Sequence, residues 1–448
     1  MRKWYLLALL VVIVAVGCGV KSQLKKLPII SGYSAKALCS YTYIAGLPLE
    51  KIESEDLSFG PLPIATNKIQ LSDYTATSSV LGLGKKTAVY RQDIGCVLLK
   101  GADDYQVQSP KYSRPADRPL PYPYGDATTS DIPAGVDVAG IEAAIAGICD
   151  PDGTMTDKKT RAVLVIYKDT IVAEYYADGI DQGTELLGWS MTKSIMNAWV
   201  GRQVQAGAVS LDDRNLYEHW QQDARKDISL NDMLHMTSGL EWEEVYDKVS
   251  GATTMLFDSE DIVATASVRP AVHPAGDHWY YSSGTSNLIS GYLRSKYTEH
   301  EDYLRYPYDS LFFKLGMYDT VLESDESGTY IGSSYCYATA RDWGRFGLLY
   351  LHDGVWNGER LLPEGWVDYS TEEVADSDGI YGAHFWLNKR GSAYPNAPYD
   401  TYSANGFQGQ RVFIIPSRDL VIVRLGLNED PGFDDFLKQI VASVPVPS

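Results

Sequence analysis

The segment Gly188-Trp189-Ser190-Met191-Thr192-Lys193-Ser194 opens a stretch of strong helical character that runs to about Ala206, with Gly207 as a stop signal. A serine in the first turn of a helix sits at the positive end of the macrodipole, where negative charge on its oxygen is stabilised. Three residues on, Lys193 lies on the neighbouring helical face, with its amine in reach of the Ser190 hydroxyl. Lys193, Met196, Val200 and Val204 share one stripe of the predicted helix, while Ser194, Arg202 and Gln205 lie on another side, which turns the lysine toward the core. Burial disfavours the ammonium form, and a lysine of lowered pKa accepts a proton near neutral pH. The chemistry on offer is nucleophilic attack on a carbonyl. The spacing by itself is common: Ser22 and Lys25 repeat it, and a serine at this position can simply cap a helix.

Two further clusters supply company. His278-Trp279-Tyr280-Tyr281-Ser282-Ser283-Gly284 precedes a helix-like run, and Gly406-Phe407-Gln408-Gly409-Gln410 precedes the apolar run from Arg411 to Ile415. Ser190-x-x-Lys193, Tyr281-x-Ser283 and the Gly406–Gln410 segment stand in the order of the three motifs of class C β-lactamases and their esterase, DD-peptidase and 6-aminohexanoate-oligomer hydrolase relatives. The chain resembles this family over roughly residues 130–445, and the last group most. The resemblance implies Ser190 as the acylated nucleophile, Lys193 as its proton shuttle and Tyr281 as general base or acid. A phenol titrates near ~10 in water, so a tyrosine base requires a neighbouring positive charge, which Lys193 would supply. The oxyanion hole would take the backbone N–H groups of Ser190 and Gln410, with Gly409 leaving room for substrate. Ser283, Phe407, Gln408 and Gly409 would contact substrate.

Two positions depart from the family pattern. Ser283 stands where Tyr-x-Asn has its asparagine, and Phe407-Gln408-Gly409 stands where Lys-Thr-Gly has its cation. Without that cation a substrate carboxylate loses a major attraction, so penicillins and D-Ala-D-Ala termini are expected to be poor substrates and short esters the best ones. Ser229 and Asp232 form a capping box, and His235 reads as structural.

The elements that must position these residues are also readable. Residues 138–148 have helical spacing. Residues 162–167 and 171–176 flank Lys168-Asp169-Thr170 as a hairpin, residues 411–415 and 420–425 form another, and an amphipathic helix over 434–444 closes the chain. The predicted fold class is α+β: an antiparallel β-sheet flanked by helices, with a mainly helical insert, plus a small β-rich N-terminal domain. The predicted organisation is a lipoprotein-type signal peptide over 1–18, a tether over 19–30 and the accessory domain over 31–108. A Pro-rich linker over 109–129 leads into the hydrolase domain over 130–448.

Composition limits the alternatives. The 448 residues carry a formal net charge of -19, which disfavours nucleic acid and anionic membrane surfaces as partners. The expected partner is a small-molecule ester or amide. Arg2 and Lys3, an apolar run from Trp4 to Val16, and Ala15-Val16-Gly17-Cys18 resemble a bacterial lipoprotein leader, with Cys18 as the lipidated residue and the lipid as the membrane contact. Export to the cell envelope suits the four other cysteines, Cys39, Cys96, Cys149 and Cys336. Three pairings are open, and Cys39 with Cys96 is favoured because both fall in the N-terminal segment. The chain lacks a G-x-S-x-G elbow, a P-loop and H-E-x-x-H, and its seven histidines fall at no ligand spacing, so neither cofactor nor metal is expected. Two other readings stand beside hydrolysis: a lipid-anchored envelope binding protein with a relict site, and a low-activity penicillin-binding protein or DD-peptidase.

Overall fold

The structure is a computed structural model that describes residues 24–100, 119–127 and 131–447; the predicted leader and Cys18 lie outside them. Helix α1 (Leu27–Tyr43) comes first, followed by strands β1 (Ala65–Gln70), β2 (Thr75–Val80), β3 (Leu83–Arg91) and β4 (Gly95–Leu99), which pair antiparallel in sequence order. The sheet lays its alternate buried residues, such as Ala76, Val80 and Ala88, toward α1.

The helix is a correction to the sequence expectation of a tether over 19–30 followed by short strands. Ser31, Ser34, Ala35, Ala37, Leu38 and Cys39 are all buried, so α1 lacks the polar face by which a surface helix is recognised. Its small residues serve close packing. A Cβ on Gly32 would lie 2.0 Å from the Phe257 carbonyl oxygen, so only glycine fits there.

This N-terminal unit is fastened to the rest of the chain by charge as well as by apolar contact. Within the unit itself, a disulfide links Cys39 of α1 to Cys96 of β4. Lys36 Nζ meets Glu323 Oε2 at 2.6 Å with both side chains buried, and Glu323 Oε1 also accepts from Ser40 Oγ (2.8 Å) and the Cys96 amide (2.5 Å). Arg161 donates to both oxygens of Asp56, at 2.9 and 2.7 Å. Cys149 and Cys336 are buried free thiols.

The larger unit is built on α2 (Val138–Ile148), β5 (Thr160–Tyr167), β6 (Thr170–Tyr176), α3 (Met191–Gln205), α4 (Gly251–Asp258), α5 (Ser283–Arg294), α6 (Ala340–Leu351), β7 (Trp386–Leu387), β8 (Tyr402–Gly406), β9 (Gln410–Ile415), β10 (Leu420–Gly426) and α7 (Phe433–Ala442). Its six-stranded antiparallel sheet has the order β7-β8-β9-β10-β5-β6, which brings the predicted hairpins together along β10 and β5. Both faces are covered. Val163, Val165, Phe413 and Ile422 pack with α2 and α7, whereas Ala162, Leu164 and Ile166 join the core that contains α6 and α3. That double burial explains why β5 and β10 read as nearly unbroken apolar runs. The α+β class and the flanked antiparallel sheet are as the sequence predicts.

Part of the Pro-rich stretch is seated on α6. Arg345 donates to the carbonyl oxygens of Pro123 (3.0 Å) and Gly125 (2.7 Å), and Tyr122 Oη donates to that of Arg341 (3.0 Å).

Candidate active site

Ser190 stands at the N-terminal end of α3, following Trp189 in the left-handed region at φ 47°. A non-glycine residue held there costs of order 1–3 kcal/mol and persists only where its surroundings enforce it. Here the indole is buried, stacked on Tyr33 of α1 with centroids 5.9 Å apart. The Ser190 hydroxyl makes no capping bond to its own helix, so the simple N-cap role does not apply. It accepts instead from Lys193 Nζ at 3.0 Å.

Lys193 is 1% exposed, and its amine also reaches Ser283 Oγ and the Ser333 carbonyl oxygen, each at 3.0 Å. The burial is as expected, but the stripe argument for it is incomplete. Helix α3 is buried on nearly every side, Ser194 and Asn197 included, with Ser194 Oγ donating to the His384 carbonyl and Asn197 Nδ2 to that of Ala383. Desolvation lowers the Lys193 pKa to about 8, against an opposing pull from the Glu244 carboxylate. As an ammonium, the group has three acceptors for its three hydrogens. As a neutral amine it keeps hydrogens for Ser283 and Ser333, and its lone pair is left for Ser190.

Glu244 is the member of the site that sequence reasoning missed. It accepts the Ser283 hydroxyl at 2.5 Å and the Ser283 amide at 2.8 Å, and also Trp242 Nε1 (2.6 Å) and Tyr246 Oη (2.7 Å). Nothing in Glu241-Trp242-Glu243-Glu244 distinguishes one acid from its neighbours. The same bonds correct the expectation that Ser283 touches substrate. Ser283 is fully buried and outside the cavity lining, and its single hydrogen is taken by Glu244.

Tyr281 faces the nucleophile. Lys193 Nζ lies 4.7 Å from its ring centroid, and its phenol interacts with the Ser190 hydroxyl. Burial, then the Glu244 charge, drive the phenol pKa far above its ordinary value, and the Ser190 hydrogen bond and Arg411 offset only part of this. Near neutral pH the phenol is therefore held in its protonated form. His384, also unforeseen, holds the helix: its Nδ1 donates to the Lys193 carbonyl oxygen at 2.8 Å, and burial lowers its pKa to about 3, keeping it neutral.

A cavity of about 890 Å³ opens over Ser190, lined also by Glu244, Tyr281, Asn405, Gly406, Phe407, Arg411 and Glu429. Gln408, Gly409 and Gln410 are not part of its lining. Gln410 is 3% exposed, its side-chain amide bonded to both the N–H and the C=O of Gly426. Gly409 packs toward the Asn428 and Glu429 carbonyl oxygens. The glycine that matters to the site is Gly406: a Cβ there would lie 2.1 Å from the Gly188 carbonyl oxygen, so β8 ends flush against the loop that presents Ser190. Placing the third motif one hairpin turn too late hid this. The missing motif cation has a partial counterpart in Arg411, whose guanidinium donates to the Gly406 and Gln410 carbonyl oxygens (3.0 and 2.9 Å) and approaches Glu429 at 3.4 Å.

The profile of the family described as Beta-lactamase matches residues 153–442. The 6-aminohexanoate-dimer hydrolase of Paenarthrobacter ureafaciens is 24% identical over 324 residues, 66% of this chain and 79% of that protein. Among solved structures, a penicillin-binding protein homolog from Caulobacter crescentus superposes with a TM-score of 0.53 at 15% identity, covering 68% of this chain and 97% of its own. A family VIII carboxylesterase does so with 0.53 at 14% identity, covering 68% and 96%. At these identities the two structures speak for the fold.

Proposed function

The chain belongs to the β-lactamase family, and on that premise we propose that it is a serine hydrolase that cleaves an ester or amide through an acyl-enzyme on Ser190. The observation that carries the reading is the buried Lys193 amine 3.0 Å from the Ser190 hydroxyl. Neutral Lys193 takes the hydroxyl proton as Ser190 Oγ attacks the carbonyl carbon. Tyr281, protonated, then gives a proton to the departing alkoxide or amine, and is reprotonated through Lys193. Water attacks the acyl-enzyme by the same groups in reverse. The Ser190 amide, at the start of α3, and the end of β8 at Gly406 and Phe407 supply the oxyanion-stabilising edge, in place of Gln410.

Penicillins and peptidyl D-Ala-D-Ala remain poor candidates. Glu244 and Glu429 both line the cavity, and Arg411 already serves two carbonyl oxygens and Glu429. A substrate carboxylate would meet as much repulsion as attraction. We further propose an exported, lipid-anchored protein; the leader ending at Cys18 and the Cys39–Cys96 disulfide support this. No helix among the described residues is long and apolar enough to cross a membrane.

Labelling with a fluorophosphonate probe tests the nucleophile. The wild-type protein is expected to label and Ser190→Ala is not; labelling that persists in Ser190→Ala, or no labelling of the wild type, rejects the acyl-enzyme reading and leaves a relict binding protein.

A further inference from the structure

The wall of the cavity beside Ser190 is not made by the hydrolase fold alone. Ile29 and Tyr33 of α1 and Phe59 of the following loop belong to the N-terminal unit, and all three line the same cavity as Ser190. They continue an aromatic surface. Tyr33 lies on Trp189 (centroids 5.9 Å) and edge-on to Phe59 (5.8 Å), Phe59 meets Phe407 at 5.9 Å, and Phe407 stacks with Tyr246 at 6.3 Å. Phe407 also meets Trp189, the residue before the nucleophile, at 5.6 Å. Ile29, Tyr33 and Phe59 are only partly buried, so one side of each faces the cavity, not the core.

Resting on the serine-hydrolase reading, we propose that this N-terminal wall is a subsite for an extended apolar group on one side of the scissile carbonyl, and that the substrates are esters or amides carrying a medium-length alkyl or aryl chain. The charged residues of the lining are Glu244, Arg411 and Glu429, and none of them belongs to the N-terminal unit. An apolar chain laid along Tyr33 and Phe59 leaves water without meeting an unpaired charge. A methyl group alone would leave most of a volume of about 890 Å³ as solvent. This revises the expectation from motifs that short esters are the best substrates. The alternating rings give a flat, weakly directional surface, suited to chain length and bulk more than to a single stereochemistry.

The test uses the full chain and two ester series, p-nitrophenyl esters from acetate to decanoate and alkyl acetates of the same range, with Ser190→Ala as the blank. In at least one series kcat/KM is expected to rise by about three- to fourfold per methylene until the wall is covered, as burial of each CH₂ predicts. Phe59→Ala together with Tyr33→Ala should lower the octanoate-to-acetate ratio, or its alcohol-side equivalent, by about tenfold or more. Phe59→Trp adds bulk to the wall and should lower the same ratio, with the fold checked by its thermal transition. Because the readout is a ratio within one preparation, a partly unfolded variant does not imitate the effect. A wild type that cleaves both series with no length dependence, or ratios that the wall variants leave in place, overturns the subsite. Absence of Ser190-dependent turnover and of fluorophosphonate labelling overturns the catalytic reading beneath it.

Discussion

The Glu244 carboxylate receives the Ser283 hydroxyl hydrogen at 2.5 Å, and the same hydroxyl oxygen receives a hydrogen from Lys193 at 3.0 Å. A serine in the position of the family's asparagine thus becomes a one-way link between a carboxylate and the Lys193 amine. Glu244 favours the ammonium form of Lys193 and works against its burial. Glu244→Gln should therefore move the Lys193 pKa down and shift the acid limb of the kcat/KM profile to lower pH. The plateau should also fall, by about ten- to a hundredfold, because an amide has one accepting oxygen where the carboxylate's two oxygens take four donors, from Trp242, Tyr246 and Ser283. A pH–rate profile of both proteins reads the two effects separately, and a role confined to structure would leave the limb where it was.

The wild-type profile has a definite sign. In the proposed mechanism Lys193 acts as base only when neutral, and its pKa of about 8 lies above neutrality. Below that value kcat/KM should climb about tenfold per pH unit, levelling above it. Tyr281 must stay protonated, and its raised pKa defers any descending limb to strongly alkaline solution. Activity that peaks near pH 6 and falls by pH 8 would reverse these assignments.

Tyr281→Phe separates the two proton carriers. Removal of a positioned acid should cost about 10²- to 10⁴-fold in kcat/KM. The acid limb should remain near the wild-type position, since Lys193 sets it. Lys193→Ala should lose activity on a similar scale and lose the limb with it. Initial rates on one activated ester across pH 5–10 distinguish the pair.

How much of this was legible in the sequence depended on whether an element announces its own surroundings. The hairpins of β5 with β6 and β9 with β10 carry turn residues between apolar runs, α2 and α7 carry periodic apolar positions, and all appear where the sequence puts them. Helix α1 does not, because small residues buried on all sides erase the periodicity. In the site, Ser190 and Lys193 sit on one helix and are joined by local geometry, whereas Glu244 enters from a distant loop whose acids look alike. Gly406 was masked by a second glycine three residues on, and the approach of Gly188 and the cavity lining tell them apart in the fold.

The seam between the N-terminal unit and the hydrolase fold offers a stability test. Glu323 is fully buried and serves Lys36, Ser40 and the Cys96 amide at once. Desolvation lowers the Lys36 pKa to about 8 in spite of this partner, so without the carboxylate the buried amine would lose its counter-charge and keep the Cys96 carbonyl oxygen as acceptor. Glu323→Ala is expected to destabilise the protein by about 3–5 kcal/mol, the usual cost of removing one member of a buried pair. The double variant Glu323→Ala with Lys36→Met removes the stranded charge as well, and should recover much of that loss, because an apolar pair is often as stable as the ion pair it replaces. Urea unfolding of the wild type, the single and the double variant gives the comparison. If the double variant is no more stable than Glu323→Ala, the loss comes from the Ser40 and Cys96 bonds, and the Lys36 charge is not what Glu323 balances.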